Sequence, residues 1–402
     1  MGAYLVECAA FLLRWLHVVA AIAWIGESFY FVALDRGLEK PRQATPGLFG
    51  ESWSVHGGGF YLKQKFLPAP PQLPEVLHWS KWKSYTTWLS GFGLLCLTYL
   101  LSPQVYLIDA ARTALSPTQA VLAALAFPLL AWLAYDGLCR LVGFRDALLG
   151  ALVALLSLGL AFAATQLFAG RAAFLLVGAS LATIMSANVF FVIIPGQKRM
   201  VAALGRGEAP NPLDGARGKQ RSVHNTYFTL PVVFAMLSNH YATAYAHAQA
   251  WLVLAAIMAA GALIRQFFVL WHSGERAWWL LGAGGAVLAA VFVGLAPPAP
   301  ASRRAAAVTP GAVVPPEPDT AAIQAILARR CTACHSAHPS LMASAPKGAQ
   351  FDSAADIDAR AELIHRQVVQ LQVMPPGNLT QMTAAERDAI ARWYEARSSR
   401  AP

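Results

Sequence analysis

The chain has 402 residues, 56% of them hydrophobic and only 13% charged, with a formal net charge of +10. Soluble globular proteins carry about 25% charged residues, so most of this chain is not built for water. The positive charge does not point to nucleic acid, because the basic residues lie in stretches between long apolar runs.

A run of about 20 apolar residues spans a bilayer as a helix. Eight runs qualify, at 9–33, 84–103, 119–138, 146–168, 172–195, 224–246, 249–270 and 277–297. Helix is required, since an unclosed strand leaves its backbone unsatisfied in lipid. The first run is too long for a cleaved leader, and Arg14, Glu27 and Asp35 interrupt or flank it, so it is expected to be retained. Lys and Arg gather in alternate loops. Arg36, Lys40, Lys63 and Lys65 follow the first run, Arg140 and Arg145 the third, Lys198, Arg199, Arg217 and Arg221 the fifth, and Arg276 the seventh, with Arg265 at a helix end. Basic loops stay on the cytoplasmic side. The expectation is a multi-pass protein of a bacterial inner membrane, lodged in the lipid bilayer, with both termini outside.

Ionisable groups inside spans are costly and mark function. The first span holds Arg14, His17 and Glu27. The next loop reads VHGGGFYLKQKF, where glycines let backbone approach a ligand closely and Lys63 and Lys65 suit an anion. HWSKWKSYTTW leads into the second span, and HNTYFTLPVVFAMLSNHY opens the sixth, placing His224, Asn225, Asn239 and His240 within it.

Residues 1–297 form the membrane part, 298–318 a Pro/Ala-rich linker, and 319–402 a small periplasmic domain. That domain carries Cys331-Thr332-Ala333-Cys334-His335, the C-x-x-C-H signature of haem c attachment. Two thiols add across the haem vinyl groups, and His335 reaches the iron. Met374, in VMPPGN, is the best sixth ligand, because its prolines stiffen the loop. Met342 and Met382 are rivals, but Met382 precedes a Thr383–Glu386 capping box and reads as a packing residue. A zinc or redox CxxC would need a second ligand pair or a βαβ context, and the remaining cysteines lie in spans. The expected fold class is therefore all-α: a polytopic bundle of about eight transmembrane helices followed by a small class I-like cytochrome c domain.

HGGGFY, HWSKWKSYTTW and HNTYFTLPVVFAMLSNHY, followed by a C-x-x-C-H domain, resemble the bacterial membrane-bound urate oxidase, or urate hydroxylase, family, over essentially the whole chain. The resemblance implies oxidation of urate to 5-hydroxyisourate, with electrons passed to the fused haem c and the respiratory chain rather than directly to oxygen. A soluble cytochrome c or a terminal oxidase is then the acceptor. Urate is a planar anion, so aromatic, cationic and amide groups suit it. On that basis His56, Lys63, His78 and His224 are the candidate catalytic residues, a histidine near neutral pKa being the natural proton acceptor.

If urate binds at the inner face, electrons must cross a core of about 30 Å. His17 and His240 are then candidate ligands of a membrane haem b. If urate binds at the outer face, the same two become substrate or base residues. The alternative reading is a quinol- or partner-linked membrane cytochrome c with no purine substrate.

Overall fold

The computed structural model describes residues 2–110, 112–296, 318–342 and 344–400. The linker expected at 298–318 lies outside the described residues, its last position excepted.

The chain is mostly helical. It opens with α1 (Gly2–Arg36), then an antiparallel hairpin, β1 (Leu48–His56) and β2 (Gly59–Phe66). Next come α2 (Trp82–Leu95), which runs on into a π-turn at Cys96–Leu100, and the short α3 (Pro103–Tyr106). Helices α4 (Pro117–Val142), α5 (Asp146–Leu167) and α6 (Gly170–Ala187) follow. A π-turn at Asn188–Ile193 joins α6 to α7 (Ile194–Gly205). The bundle ends with α8 (Pro212–Leu237), α9 (Ala242–Tyr245), α10 (Ala250–His272) and α11 (Trp278–Gly294). The C-terminal unit holds α12 (Thr320–Arg330), α13 (Ala354–Ala359), α14 (Ala361–Ile364) and α15 (Ala384–Arg400).

Among the described residues, five helices are long and apolar enough to cross a membrane: Tyr4–Arg36, Pro117–Val142, Asp146–Leu167, Gly170–Gly205 and Ala250–His272. Their outward surfaces are apolar, with Phe11, Trp15, Leu122, Leu130 and Leu155 exposed. Contiguous apolar exposure on this scale is what a lipid-facing bundle presents. The interior is also apolar, built round Tyr135, Phe168, Phe174, Leu176 and Leu254. Local chemistry starts these helices where expected. Ser116 and Gln119 form a reciprocal capping box at the head of α4, with Pro117 in its first turn.

One end of the bundle collects the basic loops. There Gly37 lies beside the His272 carbonyl, and the Gln220 amide donates to the Gly143 carbonyl at 2.9 Å. The opposite end carries α3, where the Ala169 amide donates to Leu107.

The chain is mostly helical, as expected, but two details differ. The loop around HGGG is a β-hairpin. Gly57 and Gly58 both have positive φ, as a two-residue hairpin turn requires, and a Cβ on either would meet nothing. The turn explains these glycines without any ligand. The sixth apolar run is also displaced: α8 starts at Pro212, capped by the Asn211 side chain, and ends at Leu237. Asn239 and His240 therefore lie in the 3-10 turn Ser238–His240 beyond that helix, not inside it.

The C-terminal unit has its own core of Ile323, Leu327, Phe351, Ile357, Ile390 and Trp393. It touches the bundle through the turn Pro376–Asn378, which packs on α3.

Candidate functional site

Cys331 is the C-cap of α12, and its carbonyl accepts the amides of Cys334 (3.1 Å) and His335 (2.8 Å). The two thiols are within Coulombic range of each other, and the His335 ring packs against Phe351 with centroids 5.0 Å apart. No disulfide joins the thiols. Burial pushes the Cys331 thiol up to about 12 and raises Cys334 as well, so neither is a ready thiolate nucleophile. His335 Nδ1 lies 2.9 Å from the Ala349 carbonyl, which fixes Nδ1 as the protonated nitrogen and leaves the Nε2 lone pair for a ligand bond. Met374 is half-buried against the small core, and Arg387 donates to the Met374 carbonyl at 2.8 Å and to Val368 at 2.5 Å. Met382 is fully packed in that core, as expected of a residue preceding the Thr383 cap. The donor set fits a haem held by two thioethers, one imidazole and one thioether ligand.

The four expected catalytic residues make no direct contact with one another. Among the described residues no hydrogen bond or ring contact joins any two of them. His56 is exposed at the hairpin tip and His78 is exposed ahead of α2. Lys63 donates to Ser54 and sits 5.1 Å from the Tyr30 ring centroid. His224 alone enters the interior, where its Nδ1 lies 2.7 Å from the Tyr135 hydroxyl.

That contact opens a buried polar network. Asn188 donates to the Tyr135 hydroxyl (3.1 Å) and to Asn225 (2.9 Å), and Arg221 donates to Asn188 (3.1 Å) and Asp136 (2.7 Å). Asp136 also takes Arg140 at 2.6 Å. The network pins α4, α8 and the π-turn of α6 together, and its arginine is neutralised. A second cluster lies at the α3 end. Tyr99 and Arg171 both donate to Asn239 Oδ1 at 3.1 Å, and the Arg171 guanidinium stands 5.5 Å from the Tyr106 ring centroid.

The sequence profile of the urate oxidase N-terminal family matches residues 3–296. The chain belongs to that family. No curated protein and no solved structure matches it. The match to the urate oxidase N-terminal family ends where the bundle ends, so both polar clusters lie inside it and the C-x-x-C-H unit lies beyond it.

The two histidines expected to hold a membrane haem are not in contact. His17 Nδ1 lies 3.0 Å from the Thr87 carbonyl and its Nε2 lies 3.3 Å from Met236 Sδ, in a space that Gly91 leaves open. A Cβ on Gly91 would stand 2.8 Å from the His17 ring. His240 is exposed in its turn. A metal bond from His17 Nε2 would displace Met236.

Sequence reasoning missed Tyr135, Asp136, Asn188 and the pairing of Arg221. One signal was available: Asp136 is an acid within an apolar run, and such an acid needs a buried cation.

Proposed function

We propose that this member of the urate oxidase N-terminal family oxidises urate to 5-hydroxyisourate and passes the electrons to a haem c on its own C-terminal unit. In this reading all eight apolar helices span a bacterial inner membrane, and the C-terminal unit faces the periplasm. The step balances as urate plus water giving 5-hydroxyisourate, two electrons and two protons. A haem bound by Cys331, Cys334, His335 and Met374 would supply a one-electron acceptor. The two electrons therefore leave the chain singly, to a soluble cytochrome c or a terminal oxidase.

The residues have separate tasks. Ala349 holds His335 in the tautomer that offers Nε2. Arg387 fixes the carbonyl of Met374 and so the loop that presents its sulfur. His224, oriented by Tyr135, is the proton acceptor. The observation that carries the reading is that one chain joins a urate oxidase family bundle to a C-x-x-C-H turn whose imidazole keeps Nε2 available.

The test is a visible spectrum of the oxidised full-length protein, mixed anaerobically with urate. The haem c α-band is expected to rise with urate and not with xanthine or allantoin. If urate leaves the haem oxidised while a quinol reduces it, the chain is an electron carrier without a purine substrate.

A further inference from the structure

Arg265 lies on α10 and is only 3% exposed, yet among the described residues its Nε and Nη2 have no hydrogen-bond partner. No described carboxylate pairs with it. Its guanidinium is stacked 4.0 Å from the ring centroid of Phe29 on α1. Tyr227 on α8 is within Coulombic range of it, and the Tyr227 hydroxyl donates to Gln266 beside it in sequence. Three helices thus meet round one uncompensated cation.

A buried, unpaired charge costs several kcal/mol, and an anion bound beside it would offset that cost. The orphaned atoms say which kind. Nε and Nη2 form one edge of the guanidinium, a planar two-donor fork that matches an edge with two adjacent acceptors. The other buried arginine among the described residues is already provided for: Arg221 is held by Asp136 at 2.7 Å.

We infer that Arg265, backed by Phe29 and flanked by Tyr227 and Gln266, is the binding site for a planar, anionic nitrogen heterocycle, which is urate if the function proposed above holds. A deprotonated ring nitrogen next to a carbonyl oxygen supplies the acceptor pair the fork lacks. The Phe29 face keeps the guanidinium flat, and the Gln266 amide can serve a second edge. His224 lies one turn before Tyr227 on α8, on the same side of the helix. The site sits toward the basic end of the bundle, about 10 Å along the helix from the end of α10.

The test measures binding without turnover. Dithionite-reduced full-length protein in detergent cannot accept electrons, and its uptake of radiolabelled urate is measured by equilibrium dialysis. Saturable binding is expected in the native chain. Arg265→Gln is expected to weaken it about 100-fold, from the loss of two charge-assisted bonds. Phe29→Leu is expected to weaken it several-fold. Thermal unfolding separates a binding role from a structural one. Removing an unpaired buried cation should raise the melting temperature of ligand-free Arg265→Gln and abolish its shift with urate.

Unchanged urate binding in Arg265→Gln overturns the inference and leaves the proposed function standing, provided urate still reduces the haem. A lower melting temperature without ligand also overturns it, since Arg265 would then be a structural residue. Displacement of urate by inorganic phosphate or by phosphatidylglycerol vesicles overturns the planar-ligand assignment in favour of a phosphate site. If urate neither binds nor reduces the haem of the native chain, the proposed function fails, and urate fails as the ligand with it.

Discussion

Gly377 and Ile108 are in backbone contact across the junction of the C-terminal unit and the helical bundle. A Cβ on Gly377 would fall well inside 3.0 Å of the Ile108 carbonyl oxygen, and 3.3 Å from Cα of Asp109. Gly377 is three residues from Met374, and Ile108 two from Tyr106, so the junction joins the expected ligand loop to the aromatic cluster at the α3 end. In the proposed function, electron transfer is steep in distance, and this contact would set that distance. Gly377→Ala should force the two parts apart and slow urate-driven reduction of the haem several-fold. The haem spectrum and its reduction by dithionite should not change. Gly348→Ala is the matched control: its φ is +65, against +54 at Gly377, but a Cβ there meets nothing. Stopped-flow reduction of both variants checks this, and equal rates in the two would show that the contact does not govern the transfer.

Asp136 is shared by Arg221 and Arg140 in the bundle interior. Asp136→Asn leaves Arg221 buried without its counter-charge, which should cost about 3–5 kcal/mol and lower the melting temperature in detergent. Adding Arg221→Gln removes the orphaned charge and should recover most of that loss. A double variant no more stable than the single one would mean that the network is held by Asn188 and Tyr135 rather than by the ion pair.

Much of the fold was legible in the sequence because apolar runs, capping boxes and C-x-x-C-H are local signals. The Thr383–Glu386 box of α15 is present as expected, and the Ser116–Gln119 box of α4 is a signal of the same kind that the hydropathy reading did not use. The β-hairpin is not separable in sequence from a ligand-approach loop, because Gly57-Gly58 serves positive φ in a hairpin turn and close backbone approach equally well. The start of α8 was placed 12 residues late, at 224 instead of Pro212. Its first three turns are polar and basic, so hydropathy overlooked them, whereas Asn211 and Pro212 mark the cap plainly. Arg221 and Arg265 were both counted as topology signals. A charge-side rule treats every basic residue alike. Only the packing of α1, α4, α8 and α10 separates an arginine held by Asp136 from one facing Phe29.

Glu386 gives the C-terminal unit a defined pH response. Burial alone would raise its pKa, but the Thr383 amide at 2.8 Å and Arg330, 3.0 Å from both oxygens, outweigh that and hold it below the usual carboxylate range. The folded pKa is thus depressed, so the group stabilises fully above its unfolded value of about 4.3, and that stability fades as pH falls through the lower folded value. Glu386→Gln should cost about 1 kcal/mol at neutral pH through the weakened cap and flatten the acid limb. Unfolding followed by haem absorbance from neutral to acid pH checks both effects. An unaltered acid limb would assign the response to another carboxylate.

In the proposed function three methionines compete for the sixth haem position, and their settings separate them. Met374 stands in a loop fixed by Arg387, half-buried at the edge of the small core. Met382 is 3% exposed within that core, and Met342 lies seven residues after His335 in an irregular stretch. A methionine ligand raises the reduction potential. Met374→Leu should therefore lower the midpoint potential while the two thioether bonds and His335 keep the haem attached. Met382→Leu should instead cost under about 1.5 kcal/mol of stability, as a volume-conserving core swap, and leave the potential alone. Spectroelectrochemical titration of the two variants checks this. A drop in potential with Met382→Leu and none with Met374→Leu would reverse the assignment, and the sixth ligand would then lie away from the Gly377 contact that joins the C-terminal unit to the bundle.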